Sequence, residues 1–131
     1  MRMLMPLALG AALLAAFSGS AFAAGDAAKG AELFKSTCGL CHQIGPGAKT
    51  LVGPELNGIV GRKAANVDYP NYSDVMKTLG DFGVVWTEEN LDRWIINPKG
   101  VLPGTYMTVF PGVPDASDRA DLIAYLKTFT Q

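Results

Sequence analysis

Apolar residues recur at helical spacing in four stretches of the chain. Ala27, Gly30, Ala31 and Phe34 lie three and four positions apart, with Asp26 placed to cap the turn before them, which predicts a helix over Ala27–Lys35. Ser73–Leu79 reads as a short helix stopped by Gly80. Thr87 caps a clearer one: Glu88 and Glu89 suit its first turn, Leu91, Trp94 and Ile95 form its apolar stripe, and Asn97-Pro98 ends it. The last helix runs from about Asp115 or Ser117 to Thr128. It sets Leu122, Tyr125, Leu126 and Phe129 on one face and leaves Asp118, Arg119, Asp121 and Lys127 for solvent.

Two long stretches rich in Gly and Pro separate these helices, Gln43–Tyr72 and Pro98–Pro114, and no run alternates long enough to argue for a sheet. The fold class is therefore all-α, with three to four short helices. Loops of that length inside a compact domain need something to organise them. Short helices joined in this way make a poor self-packed bundle, so the pattern points to a ligand that both loops wrap.

The first 23 residues are of another kind. Arg2 is a short positive start, Leu4 to Phe17 is uncharged and almost entirely apolar, and Ala21-Phe22-Ala23 has the form of a cleavage site. We read residues 1–23 as a cleaved signal peptide and 24–131 as a single domain. The apolar run is too short, and too broken by Ser18-Gly19-Ser20, to favour a retained membrane span. Export places the two cysteines in an oxidising compartment, where thiols are bridged, protected or consumed. Net charge over the whole chain is −1, so there is no basic footprint for nucleic acid.

Two cysteines and one histidine are the whole supply of soft metal ligands, and all three stand together as Cys38-Gly39-Leu40-Cys41-His42. This is the C-x-x-C-H haem attachment pattern. The thiols add across the two vinyl groups of a haem, the spacing sets the sulfurs at the separation those vinyls need, and the next residue turns an imidazole toward the iron. A dithiol redox site would want a βαβ context, a structural zinc site a fourth ligand, and a plain disulfide would leave His42 and the long loops without a role. With no second histidine, Met, Tyr, Lys or an open position remain for the other axial site. Of the methionines beyond the leader, Met76 sits in a helix pattern as core filler, whereas Met107 follows the turn Pro103-Gly104-Thr105-Tyr106 and is the better candidate.

These features together resemble a class I c-type cytochrome, the group of mitochondrial cytochrome c and bacterial c2-type carriers. The likeness covers almost all of residues 24–131. Besides Cys38, Cys41 and His42, it rests on Gly53-Pro54-Glu55-Leu56, Gly61-Arg62-Lys63, Tyr72, Trp86, Asn97-Pro98-Lys99, the approach to Met107, and Asp121-Leu122-Ile123-Ala124-Tyr125-Leu126. The resemblance implies a cytochrome c fold around one covalent haem c, held through Cys38 and Cys41 with His42 and Met107 on the iron. It further implies that the Pro54 carbonyl receives the His42 Nδ1–H, and that Arg62, Tyr72 and Trp86 donate to the haem propionates. Gly30 would let the first and last helices cross closely where Phe34, Leu122 and Tyr125 meet.

The implied protein is not an enzyme. It is a monomeric periplasmic carrier shuttling single electrons from a quinol-linked cytochrome complex to a terminal oxidase, a reductase or a photosynthetic reaction centre. The alternative is a dedicated haem c subunit of a periplasmic dehydrogenase or oxidoreductase complex. Departures from the family pattern bear on that choice. Trp94 stands where a tyrosine is usual near the methionine ligand, Tyr106 stands where mitochondrial members carry lysine, and Lys99, with Lys35, survives from their ring of docking lysines. A hydrophobic rim at Thr108, Val109 and Phe110 is expected to carry more of the docking.

Overall fold

A computed structural model describes residues 24–130; the expected leader, residues 1–23, lies outside them. Side-chain caps set the helix starts. Asp26 accepts from the amides of Ala28 and Lys29 at 2.9 and 3.2 Å and opens α1 (Ala27–Thr37). Ser73 opens α2 (Asp74–Asp81), Thr87 opens α3 (Glu88–Ile96) and Asp115 opens α5 (Ala116–Lys127), each accepting from a first-turn amide. Between α3 and α5 lies α4 (Pro98–Val101), a single turn with Pro98 at its first position and Asn97 accepting from the Gly100 amide. The sequence pattern expects loop there, because four residues are too few to display an apolar period.

Two expectations change. Gly80 does not stop α2: it is buried within the helix, where a β-carbon would come within 2.7 Å of the Ala64 carbonyl oxygen. The chain turns instead at Gly83, whose φ of +74° suits glycine. Arg119 is not left for solvent either. It is 8% exposed, and its Nε donates to Asp92 Oδ1 at 2.7 Å.

The frame is a crossing of α1 and α5, with α3 laid against α5. The crossing is close because Gly30 has no side chain: a β-carbon there would lie 2.0 Å from the Asp121 carbonyl oxygen. Phe34 and Tyr125 meet at this crossing, their ring centroids 5.5 Å apart and their planes tilted by 58°. Asp121, half-exposed, accepts from the Asp26 amide at 2.6 Å at the surface, tying the start of α1 to α5.

No strand is formed among the described residues, and one bridge pairs Lys63 with Val85. Around it, the Gly61 amide donates to Trp86, the Trp86 amide to Arg62 and the Ala64 amide to Val84, each at 2.8 Å. That short antiparallel pairing fastens the first long loop to the segment entering α3.

Candidate functional site

The end of α1 delivers the cysteines. The Gly39 amide donates to the Phe34 carbonyl at 2.7 Å, and the Cys41 and His42 amides both return to the Cys38 carbonyl, at 3.1 and 3.0 Å. This extra turn holds Cys38, Cys41 and His42 in one coil, each partly buried, with both thiols free. Burial pushes the Cys38 thiol up, while its contact with the Thr37 hydroxyl opposes the shift. A neutral thiol is inert toward metal cations until it loses its proton.

His42 is oriented from the neighbouring loop. Its Nδ1 lies 2.7 Å from the Pro54 carbonyl oxygen. A carbonyl only accepts, so Nδ1 carries the proton and Nε2 is left with its lone pair. Burial pushes the imidazole down, the Pro54 bond opposes that, and the Arg62 charge adds to the lowering. Two features hold the loop in place: the Gly53 amide donates to the Cys41 carbonyl at 2.9 Å, and Gly53 leaves room for the ring. A β-carbon at Gly53 would stand 2.3 Å from His42 Cε1.

Arg62 is 6% exposed and forked into the same loop. Nη1 donates to Glu55 Oε1 at 3.2 Å and to the Asn57 carbonyl at 2.8 Å, while Nη2 donates to the Glu55 carbonyl at 2.9 Å. A guanidinium has five N–H donors, so Nε–H and one Nη2–H remain for another acceptor. Sequence reasoning did not assign Glu55 and Asn57 as its partners, since contacts within an irregular loop follow no period. Backbone pairing sets Trp86 beside Arg62, and Trp86 packs on Trp94 with ring centroids 5.4 Å apart. Tyr72 is half-buried close enough to feel the Arg62 charge; burial pushes its hydroxyl up and Arg62 pulls it down.

Met107 sits half-buried against the core, and its amide donates to the buried Thr105 hydroxyl at 3.3 Å. Met76 is 9% exposed inside α2, the core position expected for it. The proposed rim needs one correction. Val109 is 86% exposed, but Phe110, at 9%, belongs to the core and offers nothing to a partner.

The donor set fits a haem. Two free thiols stand three positions apart on one coil, an imidazole is held with Nε2 free, and a buried guanidinium keeps two unused N–H groups for carboxylates. Leu56, Val60, Leu79 and Leu102 pack on the core yet remain only partly covered, so apolar surface is available to a large apolar group.

Comparison with known proteins bears on the same residues. The family model described as Cytochrome c matches residues 27–130. The chain is 51% identical over 120 residues to cytochrome c2 of Rhodomicrobium vannielii, covering 92% of this chain and 90% of that protein. It is 52% identical over 102 residues to cytochrome c-550 of Ancylobacter novellus, covering 78% and 94%. Among solved structures, cytochrome c2 from Rhodospirillum centenum superposes with a TM-score of 0.75 at 38% identity, covering 82% of this chain and all of that one.

Proposed function

The chain belongs to the cytochrome c family, and from that premise we propose that it is a periplasmic shuttle whose haem iron is held between His42 Nε2 and the Met107 sulfur. The protein is a monohaem c-type electron carrier rather than an enzyme, with haem c attached through Cys38 and Cys41. When bound, the haem supplies a reversible one-electron couple between ferrous and ferric iron.

The chain's own residues account for the rest. The observation that carries the reading is the His42–Pro54 bond of 2.7 Å, which fixes the tautomer, aims Nε2 and raises its basicity. Arg62, fixed by Glu55 and Asn57, offers its remaining donors to the propionates, with Tyr72 and Trp86 beside it. Met107 would supply the iron's other protein ligand and so leave no position for substrate, which suits transfer without catalysis. The leader of residues 1–23 would be cleaved after Ala23 on export to the periplasm, leaving 24–131 as the carrier. Its partners would be a quinol-linked donor complex and an oxidase, reductase or photosynthetic acceptor.

The test is spectroscopic. Ferric wild-type protein should show the weak near-infrared band of sulfur–iron charge transfer, and Met107→Ala should abolish it. Survival of the band in that variant refutes Met107 as the ligand.

A further inference from the structure

The segment carrying Met107 has no regular structure between the end of α4 and Asp115, so something else must hold it. Its N-terminal side is anchored at the turn where the Thr105 amide donates to the Leu102 carbonyl at 3.1 Å. The C-terminal side is anchored by a residue that the sequence pattern assigned to solvent. Arg119 on α5 is 8% exposed and reaches three acceptors: Asp92 Oδ1 on α3 at 2.7 Å, the Val113 carbonyl at 3.1 Å and the Pro114 carbonyl at 2.8 Å. The Val113 amide also donates to the Ile95 carbonyl at 2.9 Å, and Gly112 passes so close to α3 that a β-carbon would lie 2.0 Å from the Ile96 carbonyl oxygen.

We propose that Arg119 is a positioning residue for the iron's sulfur ligand: its guanidinium, fixed by Asp92, latches the Val113–Pro114 peptides to the α3–α5 frame and so keeps the Met107 segment closed. The inference rests on Met107 being the ligand. The chemistry favours a latch over a simple helix–helix ion pair, because two of the three bonds go to loop carbonyls. A charged, buried donor is worth more to each of those carbonyls than a neutral one. Local opening of a segment without secondary structure is governed by a few such bonds.

The experiment uses the ferric holoprotein, titrated with imidazole while the visible spectrum and the near-infrared band are followed. Imidazole takes the iron only when Met107 is off, so its apparent affinity reads the open fraction. Arg119→Lys keeps a cation opposite Asp92 but has no fork for two carbonyls. It should bind imidazole about tenfold more tightly than wild type, with a loss of global stability matched to that gain, since both are measured from the same closed state. Arg119→Met should bind it at least as tightly, with a lowered denaturation midpoint. The proposal is overturned if both variants match wild-type affinity. It is equally overturned if global stability falls by much more than the gain in imidazole affinity accounts for, as a brace shared by the closed and open forms would give. A wild-type protein without the near-infrared band would instead sink the ligand assignment, a failure visible before either variant is made.

Discussion

Gly53 shows how much a missing side chain can do. The His42 ring packs where a β-carbon would be, and the same residue's amide ties the loop to Cys41. Gly53→Ala should push the ring off the Pro54 carbonyl and cost about 1–3 kcal/mol, the usual range for overpacking a tight site. Chemical denaturation of the holoprotein measures it, and an unchanged midpoint would show that the ring yields freely. The cysteines and His42 were legible as residues because their chemistry depends on spacing along the chain. Arg62 was legible as a site candidate, but its partners Glu55 and Asn57 were not. A guanidinium can turn to any acceptor within reach, and a loop has no period to say which. The position of Trp94 was likewise open to reading, whereas its packing on Trp86 required the fold.

At the scale of elements, Asp26 and Thr87 were readable as caps because each needs one side chain within its own first turn, and Ser73 and Asp115, legible only as approximate helix starts, cap in the same way. Helix ends were harder. Gly80 looks like a stop in sequence, yet it stays helical because Ala64 needs the space its side chain would fill. The α1–α5 crossing gives the sharpest test at this scale. Gly30→Ala adds one methyl group against the Asp121 carbonyl, backbone that cannot rotate away. A gain of helix propensity below about 1 kcal/mol does not offset forcing the helices apart. We expect a net loss of at least about 1–2 kcal/mol, and a variant as stable as wild type in thermal unfolding would show that the crossing is looser than its geometry implies.

Across the whole molecule the question is how a partner is met. Removing the leader would take away Arg2 and no acid, moving the net charge from −1 to −2. Lys35, one of the surviving lysines, is engaged by Glu32 at 2.8 Å. Exposed apolar side chains are instead prominent: Leu40 at 78%, Tyr106 at 67% and Val109 at 86%. We expect docking to depend on these more than on charge. The bimolecular rate of electron transfer should then change by less than about threefold over a roughly tenfold range of ionic strength. A steep fall, measured by stopped flow with a redox partner, would restore lysine steering as the main term.

The amino-acid sequence alone determined what depends on neighbours in the chain: four of the five described helices and where they start, the all-α class and the attachment motif. Each follows from a spacing or from a side chain acting within one turn. Tertiary structure alone decided what depends on residues brought together from afar. It turned Arg119 inward onto Asp92 and two loop carbonyls, forked Arg62 into the loop behind His42, and buried Phe110 beside an exposed Val109. A charged side chain is drawn inside only where acceptors converge on it, and that convergence is a property of the folded chain.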